Sequence, residues 1–144
     1  MSDKVENGKP EGRRAAQDPP KFDWVTKRSQ CSFPTIFKEL KLQVEDDVNT
    51  RNGLRPSYAP YEFSVKDGGD DYTVLLKAGD FHKSVIFSLT EHAIVVKDDS
   101  GNKVFEVTLT FNDQAECKLH VNEKELELWQ VRRMALEEIL FPSY

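Results

Sequence analysis

Arg132 stands in the least comfortable setting of any charged residue in the chain. On a helical wheel it falls between Leu136 and Ile139, inside an arc completed by Leu128, Trp129, Val131, Ala135 and Leu140. A guanidinium buried there without a partner would be very costly. The pattern therefore points to an anion or peptide-carboxylate site inside the fold, or to an internal ion pair with Glu125 as the partner, or to a side chain that snorkels past the apolar face. Arg132, Trp129 and Glu125 form the candidate buried-charge or ligand site.

Cys31 is the second candidate. It precedes a helix start and lies close to Lys27 and Arg28. A helix dipole and two cations would both favour the thiolate, which makes Cys31 a candidate reactive thiol. A nucleophile also needs a base, and no histidine is near in sequence. Cys117 has the inward parity of a small core residue. With only these two cysteines, the chain cannot carry a framework of several disulfides.

His82, His92 and His120 have no spacing that would place two metal ligands on one element, so no metal site is expected. Asp67, Asp70, Asp71, Glu91, His92 and Asp113 would gather at one end of an up-and-down sheet, with Asp98 and Asp99 at the other. Neither group follows the spaced pattern of a calcium loop, and acidic residues are ordinary turn chemistry. No acid, base and oxyanion set can be assembled from these positions, and no cofactor motif is present. The expectation is a non-enzymatic protein.

The elements that would hold these residues are legible from periodicity. Residues 1–20 carry three prolines, two glycines and no aromatic residue, the composition of a disordered tail, and residues 21–144 read as a single α+β domain. Phe22, Trp24 and Val25 mark the abrupt start of that domain and are expected to dock on its body. Ser32 and Pro34 open a helix whose stripe is Phe33, Phe37, Leu40, Val44 and Val48, and Asn52-Gly53 is expected to stop it. From Tyr61 to Val121 the period is two, interrupted by Gly- and Asp-rich turns, which implies six antiparallel strands. Asn122 to Glu125 reads as a capping box for the closing helix.

The fold expected is thus an N-terminal helix, a six-stranded curved antiparallel meander and a C-terminal helix packed on the sheet. Its element order is similar to pleckstrin-homology-like folds, with helix-grip and cystatin-like folds as alternatives. Phosphoinositide binding in the first of these needs a basic first hairpin, and here that hairpin is Asp-Gly-Gly-Asp-Asp.

Charge and hydropathy narrow the partners. The net charge of −5 falls wholly on residues 21–144, because the first twenty hold four basic and four acidic side chains. Such a domain has no diffuse attraction for phosphate backbones, so nucleic acid is not expected. No run approaches the ~18 apolar residues of a membrane span. The polar, charged start of the chain points to the cytoplasm. Leu75, Ile86 and Val95 form an apolar patch on the outward sheet face, which Phe22 and Trp24 would cover or extend. These five residues are the candidate interaction patch. The leading expectation is a protein-interaction module, homodimer or adaptor, that binds another protein or itself. The alternative is a carrier for a small apolar ligand held between the sheet and the C-terminal helix.

Overall fold

Alternating apolar and polar residues build a sheet that is greasy on one side only, and two helices cover that side. The computed structural model describes residues 22–142. The expected tail, residues 1–20, lies outside them. Asp23 caps a short helix, α1 (Trp24–Gln30), through bonds of 3.1 Å from the amides of Val25 and Thr26. Helix α2 (Phe33–Leu54) follows, with the Ser32 hydroxyl accepting from the Thr35 amide and Pro34 in the first turn. Its buried face is Phe37, Leu40, Val44 and Val48, four of the five residues of the expected stripe, while Phe33 at its start is only half-buried.

Seven strands then run as an unbroken antiparallel meander in sequence order: β1 (Tyr61–Asp67), β2 (Asp71–Ala78), β3 (Phe81–Leu89), β4 (Ile94–Lys97), β5 (Lys103–Phe111), β6 (Cys117–Val121) and β7 (Lys124–Leu126). Helix α3 (Leu128–Leu140) packs back on the curved sheet through Val131, Ala135, Leu136, Ile139 and Leu140. The aromatics of the inner face fill the core. Tyr72 stacks on Phe87 with ring centres 4.8 Å apart and meets Phe37 at 5.0 Å. No helix among the described residues is long and apolar enough to cross a membrane.

Three local expectations are corrected. The segment read as a capping box is a hairpin: Asn122 and Glu123 both take positive φ (53° and 65°), Val121 pairs with Lys124, and a seventh strand results. The true cap of α3 is Glu127, whose amide donates to the Gln130 side chain at 2.8 Å. Helix α2 does not stop at Asn52-Gly53 but runs to Leu54. Arg55 then turns extended (ψ 151°), as a residue before proline prefers. Finally, Phe22, Trp24 and Val25 do not wedge into the body. The last two belong to α1, which buries none of its residues, and all three side chains are exposed.

Asn52 is used elsewhere. Its side-chain amide donates to Phe63 O at 2.8 Å and its carbonyl accepts from Phe63 N at 3.0 Å. It thereby mimics a neighbouring strand on the open edge of β1 and ties that edge to α2. Asn52→Ala leaves both Phe63 groups without these partners and is expected to cost about 1–3 kcal/mol. A chemical-denaturation midpoint that does not move would contradict this role.

The Tyr72 hydroxyl presents the opposite case. It is fully buried and has no hydrogen-bond partner among the described residues, and burial pushes its pKa far up. Tyr72→Phe removes an unpaired polar group and keeps the ring, so stability is expected to hold or rise by about 1 kcal/mol in the same titration.

Candidate functional site

Helix–helix contact brings Arg132 to carboxylate and amide partners that sequence reasoning missed. Its Nε donates to Asp47 at 2.6 Å, and one terminal nitrogen donates to the side-chain oxygen of Gln43. Both partners stand on α2, some 85 residues away in the chain, so no local pattern could have found them. Arg132 is thus half of a bridge between α2 and α3. Glu125, the partner expected, lies on β7, where Lys118 of β6 stands 3.5 Å from it. A strand ending before α3 begins cannot present Glu125 to the inner wheel position of Arg132.

Arg51, one turn beyond Asp47 on α2, is the second residue not anticipated. Its Nε donates to Leu140 O at 2.7 Å, capping the carbonyl end of α3 where a cation is electrostatically favoured. The rings of Phe141, Phe63 and Tyr61 lie 5.0, 5.1 and 5.7 Å from its guanidinium carbon. Arg51 and Arg132 together hold the two helices side by side. Between them runs a cleft of about 440 Å³, floored by Leu136 and Leu140 and walled by Leu54, Trp129 and Phe141.

Trp129 was expected on the buried face of the closing helix but is half exposed, at 50%. It forms a ridge. On one side is the α2–α3 cleft; on the other a groove of about 820 Å³ runs between α3 and the ends of β3, β4 and β5. Val104 and Met134 line this groove and are about half open to solvent, at 60% and 48%. Val104 is exposed because it is the extra residue of a bulge: Val96 pairs with Phe105, Lys97 pairs with Lys103, and Val104 has no opposite. The groove's rim carries both signs of charge, with Lys83, Lys97 and Lys124 against Asp98, Asp99 and Glu138.

Leu75, Ile86 and Val95 do share the outward face. Thr73 pairs with Ile86, Leu75 with Ser84, and Ser88 with Val95, so the three apolar residues are diagonal neighbours on β2, β3 and β4. Each is half-buried. Phe22 and Trp24 are not joined to them. The contacts that fix α1 lie at the β5–β6 end, where Arg28 rests 5.9 Å over the Phe111 ring. Arg28 of α1 thus rests on β5, outside the strands β2, β3 and β4 that carry Leu75, Ile86 and Val95.

Cys31 is no thiol. It is bonded to Cys117 of β6, with Cα atoms 5.3 Å apart. A sulfur in a disulfide has no proton to lose, so the reactive-thiol reading fails, and Cys117 is not simply a small core residue. The bond staples the α1–α2 elbow to the sheet. A second tie holds α2 to the first hairpin: the Lys41 ammonium donates to Asp67. That hydrogen bond raises the Lys41 pKa and holds the Asp67 carboxyl below its ordinary range.

The histidines remain apart. His82 and His92 are exposed, and His120 shares a 2.9 Å hydrogen bond with Thr110. Among the described residues no group of histidine, cysteine and carboxylate side chains is arranged to hold a metal ion.

Compared with protein-family models, with curated proteins and with solved structures, the chain finds no match. Any functional assignment rests on the surfaces described above.

The staple closes a loop across 86 positions. Cys117→Ser, or reduction by a dithiol, is expected to cost about 2–4 kcal/mol, chiefly by freeing the unfolded chain. Thermal unfolding with and without the reductant measures the loss. An unchanged melting temperature, with a non-reducing digest that lacks a Cys31–Cys117 peptide, would contradict the bond.

Proposed function

We propose that this protein is a non-enzymatic interaction module that works as a homodimer through the groove beside α3. One observation carries the reading: large apolar side chains, Trp129, Met134 and Val104, stand exposed around one groove and are not scattered singly over the surface. Trp is prominent among the residues that dominate binding energy at interfaces, and methionine adapts to irregular partners. The mixed-sign rim supports self-association in particular. In a two-fold contact the basic residues of one rim meet the acidic residues of the other, so one surface serves as its own complement.

The outward patch of Leu75, Ile86 and Val95 supports an adaptor contact less strongly, because its members are half-buried among threonine, serine and lysine. A carrier role is the second reading, favoured by the cleft between the helices and the groove beside α3. Neither is a hollow in the interior: the inner-face aromatics pack on one another.

The cytoplasmic setting expected from the sequence carries one amendment. Disulfides persist mainly in oxidising compartments, so the Cys31–Cys117 bond speaks against a reducing cytoplasm.

Met134→Asp places a charge in the groove without touching the core. Sedimentation of the full chain is expected to give twice the monomer mass for the parent and the monomer mass for Met134→Asp, with Ile86→Asp still dimeric. A parent that stays monomeric at high concentration overturns the homodimer. Dissociation by Ile86→Asp alone moves the interface to the outward face.

A further inference from the structure

Apart from Trp129, which borders both surfaces, the cleft between α2 and α3 is lined by apolar residues that the dimer proposal does not use. Its floor is apolar, with Leu136 and Leu140 buried beneath it, and Leu54 and Phe141 stand up at its sides, 69% and 60% exposed, beside the charged side chains of Asp47, Arg132, Arg133 and Glu137. At its end lies Arg51. A guanidinium carries five N–H donors. Among the described residues only Nε of Arg51 has a hydrogen-bond acceptor, the Leu140 carbonyl, and no carboxylate pairs with this cation. Its remaining charge is met by the faces of Tyr61, Phe63 and Phe141. Arg132 differs, since Asp47 and Gln43 already occupy it.

We infer that this cleft is a binding site for a small amphiphilic monoanion, a free carboxylate with an alkyl or aryl body. The body lies on Leu136 and Leu140 between Leu54 and Trp129, and the carboxylate takes the N–H fork of Arg51 that no described residue occupies. The geometry favours one negative charge over none because the two terminal nitrogens of Arg51 suit a bidentate carboxylate. It favours one over two because the cleft's other charges are matched in pairs, Asp47 with Arg132 and Glu137 with Arg133, so that Arg51 alone leaves a single positive charge to answer. A volume of about 440 Å³ lies in the range of small-molecule sites. The rings around Arg51 exclude water from one side of the cation, which strengthens its bond to an anion on the other.

The test uses the full chain with Trp24→Phe, so that Trp129 is the sole tryptophan. Octanoate and its neutral counterpart octanamide are titrated below their aggregation range, following Trp129 fluorescence and backbone amide shifts. Octanoate is expected to bind about tenfold more tightly than octanamide. The largest shifts are expected at Thr50, Leu54 and Phe141. Arg51→Gln abolishes the preference, but it also removes the cap of α3. Thr50→Glu therefore serves as the second variant: Thr50 is exposed on α2 and lines the cleft, so the change adds a negative charge there and spares the packing. It is expected to weaken octanoate about fivefold and leave octanamide unchanged.

Equal binding of the two ligands overturns the inference, as do shifts centred on Val104 and Met134, or no shift at all. Trp129 borders both surfaces, but neither Thr50 nor Arg51 lines the α3 groove, so the sedimentation of Met134→Asp and the effects of Thr50→Glu and Arg51→Gln on octanoate are read separately.

Discussion

Burial of one face of a single sheet beneath two helices is the constraint on which the rest of the structure depends. All seven strands lie in one layer, so their inner residues can leave water only if something lies over them. Helix α2 supplies Phe37, Leu40, Val44 and Val48, and α3 supplies Val131, Leu136 and Ile139. A meander has no second sheet to close against, so among the described residues its outward face stays largely polar. The same constraint explains why the two helices touch. Both must fit over one sheet, and where their flanks meet, Asp47, Gln43, Arg51 and Arg132 become neighbours. The cleft between them follows from two rounded surfaces lying side by side on a third.

The sheet also has two edges, which carry unpaired backbone groups. Their treatment differs. On β1 the side chain of Asn52 takes both backbone groups of Phe63, so that edge is interrupted near its middle by the helix above. On the far side β7 is three residues long and is followed at once by α3. A short last strand limits the length of edge on offer. Pairing of exposed strands is therefore a weaker route to association here than contact between side chains.

Much of the fold was legible in the sequence because it rests on local periodicity. The inner residues of the strands, the α2 stripe and the packing face of α3 all follow from spacings of two or about 3.6. Errors arose where one local pattern allowed two outcomes. Asn122-Glu123-Lys124-Glu125 satisfies the spacing of a capping box, yet it also suits a tight hairpin, and pairing with β6 decided between them. Asn52-Gly53 resembles a helix stop, but Asn52 gains more from the edge of β1 than from capping its own helix. Contacts across long separations were beyond such reasoning. Cys31 and Cys117 are 86 positions apart, and Arg132 meets residues on α2 that only the packed fold brings near. Trp129 was misplaced because a wheel shows which residues are apolar, not how much of that arc the sheet has room to cover.

That last point explains why the candidate surfaces cluster on α3. Its apolar arc is wider than the strip of sheet beneath it, so the central residues sink into the core while Trp129 and Met134 are left on the shoulders. A bulge at Val104 turns a third apolar side chain toward one shoulder, and Phe141 and Leu54 flank the other. Exposed apolar area therefore arises from a mismatch between helix and sheet, and its cost is lowest when something else covers it. The two shoulders differ in charge. Beside Val104 and Met134 lysines alternate with carboxylates, which suits a surface meeting its own copy. Beside Leu54 and Phe141 a guanidinium with no carboxylate partner among the described residues stands among rings, which suits a small anion. One helix, too broad for its seat, thus presents two surfaces of different chemistry.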